Sequence, residues 1–98
     1  MPGCYIIFSK LLNRFYIGAT HHGVDERLEK HNVHIYGRDA YTAKATDWEL
    51  YLFIPTQDFK EAGILERKIK SMKSTVYIRN LRKYPELIEK LKSSLTDC

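Results

Sequence analysis

Residues 3–18 restrict the possible folds more than any other stretch, because two strand-like arms are joined by only four residues. The arms run from Gly3 to Ser9 and from Arg14 to Gly18, and both are rich in aromatic and β-branched side chains. That composition predicts a β-hairpin, with Lys10–Asn13 as its loop and Asn13 as the turn former. Ser9 then stands opposite Arg14, Ile7 opposite Tyr16, and Tyr5 opposite Gly18. Period-two alternation places Tyr5 and Tyr16 on one sheet face as diagonal neighbours, roughly 7–8 Å apart. A slip of one residue would send them to opposite faces. Two hydroxyls on one patch can meet one small polar ligand, although two half-buried strand tyrosines would show the same spacing.

The remaining chain reads as α/β. Val24, Leu28 and His31 recur at helical spacing, which sets Arg27 and His31 on or beside a stripe that faces the sheet. A long cation so aimed needs an anionic partner, from the protein or from a ligand, or else snorkels to water. Asn32 to Asp47 is polar and irregular. His34, Tyr36, Arg38, Tyr41, Thr42 and Lys44 could line a groove for phosphates and bases, or form a solvent loop with packed tyrosines. Trp48 to Ile54 reads as a third strand, with Trp48, Leu50, Leu52 and Ile54 on one face and Glu49, Tyr51 and Phe53 on the other. Both faces are largely apolar, so both should be covered, and Pro55 ends the strand.

Asp58 to Lys73 reads as the main helix, with Asp58 as N-cap and Glu61 completing a capping-box-like start. Ala62, Leu65, Ile69 and Met72 form its apolar stripe. Glu66 falls within that stripe, while Arg67, Lys68 and Lys70 point more outward. After Ser74, the pair Tyr84-Pro85 interrupts the pattern, and Pro85 opens a final amphipathic helix carrying Leu87, Ile88, Leu91 and Leu95. Residues 1–95 are expected to form a single domain, with 96–98 as a short fraying tail.

Charge is concentrated. From Glu66 to Lys83 there are seven Lys or Arg and one carboxylate, a net +6, whereas the whole chain carries +4. Such a stripe suits a polyanion such as nucleic acid, whose binding then weakens steeply with salt, or else a solvated helix face. Arg38, Lys44, Arg67, Lys70 and Lys73 are the candidate nucleic-acid contacts. Two cysteines, Cys4 and Cys98, form neither a disulfide framework nor a zinc spacing, and free thiols fit the cytoplasm. No apolar run approaches the roughly 20 residues of a membrane span.

Gly3-Cys4-Tyr5 followed by Tyr16-Ile17-Gly18 resembles the paired motif of the GIY-YIG nuclease superfamily, with Cys4 in place of the isoleucine. The resemblance continues through Arg27 and His31 in Arg-Leu-Glu-Lys-His, then Trp48-Glu49-Leu50, then Glu66, and the ordered set resembles the small single-domain bacterial members. It implies a three-stranded, mainly antiparallel sheet flanked by helices in the order β-β-α-β-α-α. It also implies hydrolysis of phosphodiester bonds in DNA at one divalent ion, Mg²⁺ or Mn²⁺, held by Glu66. Arg27 would stabilise the phosphate, Tyr16 would orient water or phosphate, and Tyr5 or His31 would act as general base. Lys70, Lys73 and His34 are candidates for a further basic group, and Asn80 for a residue after the main helix. An i,i+4 pair with Lys70 is the alternative reason for Glu66. A DNA-binding module without turnover, or a nuclease subunit whose specificity comes from a protein partner, are the other readings.

Overall fold

The computed structural model describes residues 1–22 and 45–96. Their elements are β1 (Gly3–Ser9), β2 (Arg14–Thr20), β3 (Glu49–Pro55), α1 (Phe59–Met72), α2 (Thr75–Lys83) and α3 (Pro85–Thr96). One antiparallel sheet has the order β2-β1-β3, and three helices follow it, an α/β architecture. The helix expected from Val24 to His31, and the polar stretch as far as Lys44, lie outside the described residues.

The hairpin takes the expected register, with Tyr5 opposite Gly18, Ile7 opposite Tyr16 and Ser9 opposite Arg14. Its turn is fastened locally and from a distance. Asn13 adopts φ 53°, a left-handed conformation that asparagine tolerates better than most residues. The Asp47 carboxylate accepts hydrogen bonds from Ser9 Oγ at 2.6 Å and from the Leu11 N–H at 3.0 Å. The Leu12 N–H donates to Ser9 Oγ at 3.1 Å.

Both glycines of the hairpin make room for an aromatic ring. A Cβ on Gly18 would lie 2.5 Å from Cζ and Oη of Tyr5, its cross-strand partner. A Cβ on Gly3 would lie 2.5 Å from Cζ of Phe53 and 2.6 Å from the Ile54 carbonyl oxygen. The spacing of glycine and tyrosine is therefore a packing requirement before it is anything else.

β3 departs from the expected alternation. Ile6 pairs with Leu52 but Ile7 pairs with Leu50, so Tyr51 is an extra residue in a bulge. Beyond the bulge the faces exchange. Trp48 packs with Tyr5 and Ile7, whereas Leu52 and Ile54 pack on the helix side, joined there by Tyr51. The four residues predicted to share one face are thus divided between two, because one inserted residue inverts a period of two.

On α1 the Asp58 side chain accepts from the Glu61 N–H at 2.8 Å, as expected for the N-cap. Ala62, Leu65 and Ile69 are buried, but Met72, predicted to share their stripe, is 51% exposed because it ends the helix beyond the sheet-covered turns. Ser74 caps α2 by accepting from the Tyr77 N–H, and Pro85 begins α3. The main core lies between sheet and helices, with Cys4, Ile6, Ile17 and Ile54 against Leu65, Ile69, Ile78 and Leu81. A second cluster of Tyr5, Ile7, Ala45 and Trp48 occupies the other sheet face, with Tyr16 and Phe53 packed against it.

Candidate functional site

The hairpin brings Tyr5 and Tyr16 together with ring centroids 6.5 Å apart and planes tilted by 40°. Tyr5 is buried at 2% exposure with its hydroxyl end lying over Gly18, and Tyr16 is half-buried on the sheet-edge strand β2. Burial of Tyr5 fixes its ring, and the missing Cβ at Gly18 gives the ring its seat.

Glu66 projects from the third turn of α1. It is less deeply set than the stripe reading predicts, with a quarter of its side chain exposed. The reason is angular: Glu66 lies one 100° step from the buried Leu65, at the rim of the stripe. Lys70 Nζ bonds Glu66 Oε2 at 2.9 Å, the i,i+4 pair, and also lies 5.7 Å from the centroid of the Tyr16 ring. The tyrosines occupy one sheet face and α1 packs on the other, so Lys70 reaches Tyr16 around the β2 edge. The result is a run of side chains from Tyr5 on the central strand through Tyr16 on β2 to Lys70 and Glu66 of α1.

The charges of Glu66 and Lys70 are also felt beneath the helix. Burial pushes the Cys4 thiol up to about 12, helped by the negative charge of Glu66 and opposed by Lys70. Cys4, which stands where the resembled motif has isoleucine, is therefore an inert core side chain at neutral pH.

The other residues singled out from the sequence are dispersed. Lys73 lies near Lys70, at the C-cap of α1, and is exposed. Arg67 is exposed and its guanidinium folds back towards Gly63 of its own helix. Arg27, His31, His34, Arg38 and Lys44 lie outside the described residues. Asn80 is half-buried, and its carbonyl accepts from the Tyr84 N–H. Within the basic stripe, Lys68 donates to Ser94 Oγ at 3.1 Å and so tethers α3.

Two features escaped the sequence reading. Arg79 lies 6.0 Å from the Phe15 ring centroid and Arg82 lies 4.6 Å from that of Tyr51, and those rings pack on one another with Phe8. A cluster of aromatics in separate strands under cations of one helix has no local sequence signal. Asp47 is the other. Its hydrogen bonds hold the carboxyl below the usual range, that from Ser9 first and that from the Leu11 N–H second.

Among the described residues, no three His, Cys, Asp or Glu side chains gather as a metal-binding group. Mg²⁺ commonly takes one or two carboxylates and completes its shell with water and substrate phosphate. A single, partly exposed Glu66 meets that requirement.

A family model described as the GIY-YIG catalytic domain matches residues 1–82, which include the hairpin, β3, α1 and nearly all of α2. No curated protein and no solved structure matched the chain.

Proposed function

Since the chain belongs to the GIY-YIG catalytic-domain family, a family of nucleases that hydrolyse phosphodiester bonds, we propose that it is a divalent-metal-dependent DNA endonuclease serving repair, recombination or DNA turnover. The observation that carries this reading is the line of Tyr5, Tyr16, Lys70 and Glu66, which runs from the central strand over β2 to α1. Its tyrosines come from the two motif triplets and its carboxylate from a separate helix.

In this reading Glu66 holds the ion, which when bound neutralises charge on the phosphate and the departing oxygen. Lys70 exchanges its partner from Glu66 to a phosphate oxygen when substrate arrives. Tyr16 orients the attacking water or the phosphate, and Tyr5 or His31 takes the water's proton. Arg27 stabilises the phosphate in the transition state. Arg38, Lys44, Arg67 and Lys73 contact the backbone of the DNA, and a protein partner supplies any specificity beyond it. No helix among the described residues is long and apolar enough to cross a membrane. Free thiols fit a cytoplasmic setting.

A non-catalytic DNA-binding module is the second reading, favoured by the ion pair that already satisfies Glu66 Oε2. Incubation with labelled single-stranded, duplex, flap and four-way-junction DNA in Mg²⁺, Mn²⁺ or EDTA separates the two. Products that require metal support the nuclease. Salt-sensitive binding with no product from any DNA supports the binding module.

A further inference from the structure

A groove of about 490 Å³ lies between the hairpin turn and the junction of α1 with α2. Its volume falls within the roughly 300–1,000 Å³ of small-ligand sites. Arg14, Lys70 and Lys73 bring three cations to it from the start of β2, from α1 and from the α1 C-cap, and none of the lining residues is acidic. The floor is apolar, built from Phe15, Ile69 and Ile78. The first turn of α2 opens onto the groove at Ser74 and Thr75, adding the positive end of a helix dipole.

Two details point to a ligand rather than to a solvated rim. Lys73 holds a left-handed backbone at φ 49°, a place where glycine is the less costly residue. The Lys73 side chain at that cap is one of the three cations that line the groove. The apolar floor also continues from Phe15 into Phe8 and Tyr51, with Arg79 and Arg82 over the rings. Cations beside an apolar floor that includes the Phe15 ring match a phosphate joined to a base. In duplex DNA the bases are stacked and paired, so only an unpaired nucleotide can present both groups at once.

We propose that this groove seats one unpaired nucleotide of the DNA, its phosphate on Arg14, Lys70 and Lys73 and its base on the Phe15 floor. The chain therefore prefers DNA with a single-stranded extension over blunt duplex. The inference rests on the nuclease reading for the identity of the polyanion. Lys70, shared with Glu66, sets this nucleotide beside the candidate reaction site.

The test is fluorescence anisotropy in EDTA at fixed salt. The probes are a blunt duplex, the same duplex with a short thymidine extension of either polarity, and the same extension made of abasic residues. The intact extension should tighten binding about tenfold over the blunt duplex, the scale of one stacked base. The abasic extension should lose most of that gain. Arg14→Ala removes a rim cation and Thr75→Trp fills the groove. The ratio of extended to blunt affinity should fall to about one in Thr75→Trp and by about two- to threefold in Arg14→Ala, the scale of one exposed charge contact, with folding checked by circular dichroism.

Equal affinity of wild type for extended and blunt DNA overturns the proposal. So does an abasic extension that keeps the full gain, or a ratio unchanged in Arg14→Ala. Preference for the extension in a protein that cleaves nothing would sink the nuclease reading and leave the groove standing. Cleavage without preference would do the reverse, and a chain that binds no DNA would overturn both.

Discussion

Gly18→Ala tests whether the glycine of the second triplet exists to seat Tyr5. The added Cβ would lie 2.5 Å from Tyr5 Cζ and Oη and 2.9 Å from Cε1, about 0.9 Å inside the 3.4 Å at which ordinary contact begins. Tyr5 is 2% exposed, so the ring has no solvent to move into and must push on its neighbours in the Trp48 cluster. Overpacking of this kind costs about 1–3 kcal/mol. Leucine ends before the positions of Cε1, Cζ and Oη, so in a Tyr5→Leu background the same Gly18→Ala change should cost less than about 0.5 kcal/mol. Trp48, the single tryptophan and 2% exposed, reports on this cluster, so urea unfolding followed by its fluorescence measures all four corners of the cycle. An equal cost in both backgrounds would refute the reasoning, and so would a cost below about 0.5 kcal/mol in the parent chain.

Other expectations follow from the same geometry. Asp47 has a lowered carboxyl pKa, so it stabilises the hairpin above the ordinary carboxylate range and that contribution is lost as pH falls through its folded value. Asp47→Asn should therefore flatten the acid limb of stability against pH, read by unfolding at each pH, and hasten hydrogen exchange at the Leu11 amide. The Cys4 thiol, raised to about 12, should resist alkylation by iodoacetamide at pH 8 in the folded chain and react once urea unfolds it, as peptide mass spectrometry would show. Lys73→Gly should stabilise the chain by about 0.5–1 kcal/mol, the left-handed strain relieved less the extra freedom of the unfolded state. In parallel titrations it should also weaken DNA binding, since it removes a groove cation.

What could be read from the sequence was whatever depends on short range. The hairpin register follows from alternation in two arms and a four-residue turn, and it set the tyrosine pair before any contact was known. The cap at Asp58 is equally local. The β3 bulge is not, because it arises from how Leu50 to Leu52 meet Ile6 and Ile7 of another strand. Nor is the hold of Asp47 on Ser9, which spans 38 positions of the chain. In the candidate site, helical spacing puts Glu66 near the apolar stripe and Lys70 within its reach. It does not tell that Lys70 also meets Tyr16 around a sheet edge, since that depends on how α1 is laid on β2. Arg14 had no motif to mark it, and only the meeting of the turn with α1 and α2 gives it a groove.

The most direct test of the central claim is a single-turnover cleavage rate, with and without Mg²⁺, for the parent chain and Glu66→Gln. The substitution keeps side-chain volume and removes only a partly exposed i,i+4 ion pair, so unfolding stability should change by about 0.3–0.5 kcal/mol at most. The account predicts that Mg²⁺-dependent cleavage falls by about a hundredfold or more, a loss of roughly 2.7 kcal/mol in the transition state. Wild-type cleavage by a well-folded Glu66→Gln chain would contradict it, and would leave Glu66 as no more than the partner of Lys70.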